Sequence, residues 1–209
     1  MQRRQFIVQG SAGLSALALP ALSLAQSRPV EGKQYLKLNT PLPSAPDGEV
    51  LEFFSYTCPH CHAFEPSLQQ WLGRKPAKVQ FRRVPAAING VAKITQKVYF
   101  ALEAMGQLEA LHGRVFNAVQ ADLSKFQSVD SAQAELVKLG VDGARFKQVA
   151  ESFGVQSKCQ QANNLVQPIA SHGVPTLVVN GRWVTSPSIA QGYPEVLATL
   201  DHLLTLPRA

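Results

Sequence analysis

Two cysteines three residues apart, Cys58 and Cys61, enclose Pro59 and His60 and are followed directly by His62. A C-x-x-C pair that opens a helix is a dithiol/disulfide couple, whereas C-x-x-C-H is the signature for covalent attachment of a c-type haem. The stretch satisfies both patterns, and a structural disulfide or a metal pair is the bland third option. For the redox reading the physical chemistry is local. A thiol attacks a disulfide only as its thiolate. A cysteine in the first turn of a helix faces unpaired backbone N–H groups and the positive end of the helix dipole, both of which favour the anion. Pro59 suits the first helical position, where its missing N–H costs nothing. Cys61 lies one turn on, close enough to close a small disulfide ring, and His60 adds a donor near the thiolate, cationic when protonated. Each unit of thiol pKa depression is worth about 1.4 kcal/mol, or about 30 mV for a two-electron couple. Stabilising the dithiol in this way makes the disulfide the stronger oxidant. The Pro-His pair therefore points to oxidation of protein thiols through a mixed disulfide at Cys58.

The elements that must position this pair are legible on either side. Val50-Leu51-Glu52-Phe53-Phe54-Ser55-Tyr56 is nearly continuous in apolar and aromatic residues, the composition of a strand buried on both faces. Phe64, Leu68, Trp71 and Leu72 then recur at helical spacing, and residues 78–84 make a second strand, giving a strand–helix–strand unit. From Val91 to Pro168 the period changes to 3.6 and predicts about five helices, with Asp130 and Asp142 placed as N-caps. The β pattern returns in Leu177-Val178-Val179 and Arg182-Trp183-Val184 around Asn180-Gly181, the strongest short-range hairpin signal. Pro194 opens a last helix through Leu197, Leu200 and Leu204. The order βαβ, helices, ββα is that of a small α/β sheet interrupted by a helical insertion, with a first part over 26–90, the insertion over 91–167 and a second part over 168–209.

The chain has 209 residues, 45% hydrophobic and 16% charged, with a formal charge of +6. Residues 1–25 have the form of a secretory signal: Arg3 and Arg4 charged, Phe6 to Leu19 apolar, Pro20 a break, and small residues ahead of a cleavage site after Ala25. The apolar run is short for a membrane anchor. Arg3-Arg4-Gln5-Phe6-Ile7 also resembles a twin-arginine export signal, so both export routes stay open. Either places the cysteines where disulfides persist. The basic residues are scattered and not interleaved with aromatics, which gives nucleic-acid binding little support.

Glu52-Phe53-Phe54-Ser55-Tyr56 leading into Cys58-Pro59-His60-Cys61, with Gly173-Val174-Pro175-Thr176 much later, resembles the DsbA family of periplasmic thiol:disulfide oxidases, within the thioredoxin superfamily. The resemblance spans nearly all of the chain after the signal. It implies a thioredoxin fold with an inserted all-helical domain. It implies Cys58 as the exposed nucleophile and Cys61 as its shielded partner, with Glu52 a buried carboxylate beneath Cys61 that assists proton transfer. Pro175 would be cis beside the disulfide, and the Val174 backbone would pair with an incoming peptide strand. The substrates would be exported, folding proteins with free cysteines. Reoxidation would come from a quinone-linked membrane partner of the DsbB type, and the protein would act as a periplasmic monomer.

Other residues carry plainer expectations. Glu52, alone among apolar neighbours, needs a partner if buried, and Lys78 is a candidate. Glu65 and His62 read as solvated helix residues. Cys159 lies on an apolar stripe with Val155, Ala162 and Val166, as a buried, inert, unpaired thiol would. A haem would need His62 as one axial ligand and a Met or His opposite, but Met105, the one methionine after the signal, stands in no motif. A strand directly before the cysteines also suits the dithiol arrangement better. No metal and no cofactor beyond the Cys58–Cys61 disulfide is expected. A reductant would more typically carry Gly-Pro between its cysteines, and an isomerase would need a dimerisation domain that 26–48 is too short to supply. A peptide-binding chaperone without turnover is the alternative from another class; it would keep its activity in Cys58→Ser.

Overall fold

The computed structural model describes residues 28–43 and 48–206. The expected signal over 1–25 lies outside the described residues. A five-stranded sheet in the order β1-β5-β4-β2-β3 forms the centre, with β1 Leu36–Lys37, β2 Glu49–Phe54, β3 Gln80–Pro85, β4 Thr176–Val179 and β5 Trp183–Thr185. β2 pairs parallel with β3 and antiparallel with β4. All six residues of β2 are buried, as its continuous apolar run requires for a strand covered on both faces.

Helix α1 (Pro59–Arg74) connects β2 to β3. Its buried residues Cys61, Phe64, Glu65, Leu68 and Trp71 follow the spacing of one helical face. Its Phe64, Leu68 and Trp71 join Val50, Leu177 and Val179 of the sheet and Val196, Leu200 and Leu203 of the last helix, α8 (Tyr193–Leu203), in one apolar cluster. Side chains alternate along a strand, so Glu52 shares the sheet face of Val50, on the side that α1 covers. Leu51 and Phe53, on the opposite face, pack with the helical insertion, and Phe54 at the end of the strand joins the same cluster.

The insertion consists of α2 Gly90–Ala104, α3 Leu108–Ala121, α4 Val129–Lys138, α5 Gly143–Ala150 and α6 Phe153–Val166, plus two 3-10 segments. Asp142 caps α5 by accepting from the Arg145 N–H at 3.0 Å. Asp130 is not a cap: Ser128 opens α4 in a reciprocal pair with Ser131, a capping box built from two serines. The Asn180-Gly181 turn has both residues left-handed, φ 52° and 65°, and Val179 pairs with Trp183 across it. Two short elements escaped the sequence pattern: β1 and α7 (Pro187–Ala190).

Candidate active site

Cys58 is the N-cap of α1 and Pro59 its first residue. The Cys58 sulfur accepts from the Cys61 N–H at 3.4 Å, and its thiol donates to the Val174 carbonyl at 3.4 Å. The Val174–Pro175 peptide is cis, so two distant stretches of sequence meet at the first sulfur. The two cysteines are in the dithiol form. Cys61 is 1% exposed, and Cys58 itself only 7%; the first sulfur is therefore set into the surface rather than openly exposed. Beside it a 340 Å³ groove is lined by His60, Val174, Pro175, Ser188 and Tyr193, among others, and the Tyr193 hydroxyl donates to the His60 carbonyl at 3.4 Å.

The two thiols are pushed in opposite directions. A hydrogen bond from the Cys61 thiol, then the backbone N–H groups of Cys61 and His60, bring Cys58 down to about 6 against the effect of burial; the His60 charge is the last contribution. Burial raises Cys61 far above the usual thiol range, and its hydrogen bond to Cys58 adds to the rise.

Beneath α1 lies a cluster of charge. Glu52, 1% exposed, accepts from Arg83 Nε at 3.0 Å. Arg83 also donates through Nη2 to Glu65 Oε1 at 2.7 Å, an oxygen that accepts from Gln69 as well, at 2.6 Å. Two carboxylates thus share one guanidinium. Burial pushes the Glu52 carboxyl up to about 7 against the pull of Arg83, and the Glu65 charge adds to the rise. Burial also opposes the Glu65 charge, but His112, Arg83 and Gln69 together hold that carboxyl below its usual range. The Glu52 charge acts in turn on Cys61, helping to keep its thiol protonated.

Several expectations need correction. Lys78 is exposed and the partner of Glu52 is Arg83. Glu65 is not solvated; it is 7% exposed and lies on the buried face of α1. His62 is half-buried, with Nε2 2.7 Å from Asn117 Oδ1 and its ring against Phe116, so it serves the α1–α3 contact. Cys159 is half-buried rather than buried, and burial raises its thiol. The pattern gave no role to Arg83, Tyr56 or His112. For the first, alternation along β3 was the signal available, and the parallel register sets Glu52 directly beside Arg83.

Residues 49–193 match the model of a DSBA-like thioredoxin domain. The chain belongs to the DsbA family of thiol:disulfide interchange proteins. It is 37% identical over 200 residues to the thiol:disulfide interchange protein DsbA of Bordetella parapertussis, covering 93% of this chain and 95% of that one. Identity to DsbA of Pseudomonas aeruginosa is 35% over 180 residues, 85% of each chain. Among solved structures, the crystal structure of P. aeruginosa DsbA superposes with a TM-score of 0.78 at 34% identity, over 84% of this chain and 92% of that one. A cysteine-to-serine variant of Proteus mirabilis DsbA with the non-covalently bound peptide PWATCDS gives 0.71 at 25% identity, over 84% and 95%. The fold is accordingly the DsbA-like thioredoxin fold with a helical insertion, and the activity is that of a disulfide oxidoreductase. Membership in the DsbA family also resolves the double meaning of C-x-x-C-H in favour of the dithiol.

Proposed function

We propose that this DsbA-family protein oxidises folding, exported proteins in the periplasm, with Cys58 as the sulfur that substrates attack and Cys61 as the leaving and shielded thiol. A substrate thiolate attacks Cys58 Sγ, the Cys58–Cys61 bond breaks, and Cys61 departs as a thiolate that takes a proton from Glu52. A second substrate thiolate then attacks the substrate sulfur of the mixed disulfide, and Cys58 leaves as a thiolate. Two substrate thiols are oxidised and one enzyme disulfide is reduced. Val174 and Pro175 form the wall against which the substrate backbone docks. The peptide bound to the Proteus mirabilis relative supports a peptide-accepting groove, and the lining of His60, Val174, Pro175 and Tyr193 is where it would lie. Pro59 and His60 tune Cys58, and a quinone-linked membrane protein of the DsbB type returns the dithiol to the disulfide.

The observation that carries this reading is the opposite treatment of the two thiols, one lowered to about 6 and the other raised by burial. A low leaving-group pKa speeds departure from a mixed disulfide. Equilibration of the purified protein against glutathione buffers tests it. A potential well above that of a structural disulfide is expected, together with oxidation of a reduced, unfolded substrate that Cys58→Ser cannot perform. A strongly reducing potential, or full activity in Cys58→Ser, would overturn it.

A further inference from the structure

The groove beside Cys58 is apolar where Val174, Pro175, Pro187 and the ring of Tyr193 meet, and that ring is held 5.5 Å from the ring of Phe64 in α1. Gly192 lines the same groove. Its bare Cα is covered by the carboxylate of Glu195, so that a Cβ at 192 would overlap Glu195 Oε2. The carboxylate therefore stands at the rim. Glu195 is exposed and belongs to the first turn of α8, where a glutamate can turn back to accept from the N-cap N–H in a capping box. That N–H is engaged elsewhere: Gly192 donates to the Pro187 carbonyl at 3.0 Å. Among the described residues the Glu195 carboxylate has no hydrogen-bond or ion-pair partner. The loop that carries it is fixed from both sides. Ser186 caps α7 by accepting from the Ile189 N–H at 3.1 Å, and Gln191 is left-handed at φ 66°. His60 and Tyr193 are the ionisable side chains that line the groove, and neither lysine nor arginine does, in a chain of formal charge +6.

We propose that Glu195 is a specificity-determining residue, selecting substrate segments that carry a lysine or arginine a few residues from the cysteine presented to Cys58. The inference rests on the groove as the place where the substrate backbone docks. The Val174 carbonyl accepts from the Cys58 thiol, and Val174 and Gly192 line one groove. A chain with its cysteine at Cys58 and its backbone on Val174 advances about 3.3 Å per residue when extended, so it passes the Glu195 carboxylate within a few residues. The apolar wall receives the aliphatic stem of the lysine or arginine, and the carboxylate at the rim receives its charged head. An acidic residue in the same place meets a like charge. Because the pair forms in water, it biases the choice among substrates and imposes no strict motif.

The test is single-turnover reduction of the oxidised protein by an excess of one-cysteine peptides, with Lys, Gln or Glu placed at successive positions on either side of the cysteine. Rates are compared per thiolate, because a basic neighbour also lowers the peptide thiol itself. At one or more positions the Lys peptide is expected to react about 1.5- to 5-fold faster than the Gln peptide, the range of an exposed ion pair, and the Glu peptide more slowly. The difference shrinks in salt of about 1 M, where screening acts within about 3 Å. Glu195→Gln removes the preference and Glu195→Lys inverts it. Equal rates for the Lys and Glu peptides at every position would overturn the proposal. So would an unchanged Lys-to-Glu ratio in Glu195→Gln, with a lower melting temperature as its one effect, since the carboxylate would then serve the start of α8 alone. Failure of the oxidase reading has a different signature, a disulfide that no peptide of the series reduces.

Discussion

The depressed Cys58 thiol has a source that can be divided experimentally. Its fall from 9.0 to about 6 corresponds to ~4 kcal/mol between the thiol and thiolate forms. A hydrogen bond to a charged group contributes about 1.5–3 kcal/mol, so the Cys61 S–H alone accounts for about one to two units. His60 is exposed, and a solvated charge contributes about 0–1 kcal/mol, less than one unit. The backbone N–H groups of Cys61 and His60 supply the remainder and survive any side-chain change. In a Cys159→Ser background, the thiolate absorbance of reduced Cys61→Ala is expected to titrate about one to two units above that of the unsubstituted site. Cys61→Ser, which keeps an O–H donor at the same place, recovers most of that shift. His60→Ala moves the midpoint by less than one unit, in the same direction. A larger shift in His60→Ala than in Cys61→Ala, or no recovery in Cys61→Ser, would refute the assignment.

Four further outcomes follow from the buried charges, the Cys58 thiol and the hairpin. Arg83→Met leaves Glu52 and Glu65 facing each other without a cation and costs about 3–5 kcal/mol in urea unfolding at neutral pH, a loss that shrinks in acid as both carboxylates protonate. Glu52, with a folded-state pKa raised from 4.5 to about 7, holds a proton in that window that the unfolded chain has released. Stability therefore falls by up to about 3 kcal/mol as pH rises through the window, and unfolding of Glu52→Gln across pH lacks that slope. Cys58 acts in the opposite sense: from about 6 to 9.0 the unfolded chain holds the extra proton, so the dithiol form gains stability with rising pH and Cys58→Ser removes the gain. Gly181, at φ 65°, is expected to lose about 1–2 kcal/mol as Gly181→Ala, read as a lower melting temperature with an unchanged Cys58 titration.

The frame of this molecule was readable because its elements announce themselves by period. The apolar run of β2, the one-face spacing of Phe64, Leu68 and Trp71, and the Asn180-Gly181 turn each belong to a pattern that a single element satisfies locally. The cysteine pair was legible for the same reason, since a helix N-terminus needs only adjacent residues. What stayed hidden depends on register between elements. Arg82 and Arg83 are neighbours of the same type, yet the Arg82 side chain is 51% exposed and that of Arg83 14%. Alternation says that one of them faces inward; only the pairing of Glu52 with Arg83 across the parallel ladder says which. His112 sits between Leu111 and Val115 in a helix whose apolar stripe reads complete without it, and Glu65 looks like any helix-surface glutamate until α3 is laid against α1. β1 is two residues long and exists through its pairing with β5, so no periodicity could mark it.

The proposed direction of the reaction rests on a single turn of helix. A mixed disulfide at Cys58 has two exits: attack by Cys61, which returns the substrate thiol, and attack by a second substrate thiol, which completes the oxidation. Cys61 lies one turn inside α1, where burial and its hydrogen bond to Cys58 keep its thiol protonated and the Glu52 charge adds to the effect, so at neutral pH the returning nucleophile is almost absent. Cys58 lies at the N-cap, where the amide of Cys61 and the Cys61 thiol hold its charge, so it is the better leaving group of the pair. Thiol exchange favours departure of the sulfur with the lower pKa. Moving both thiols onto the same side of neutrality would leave the fold intact and erase the preference between exits. The buried Glu52 of β2, invisible to local pattern, therefore adds to an oxidising direction set first by the burial of Cys61 and by the hydrogen bonds at the helix N-terminus.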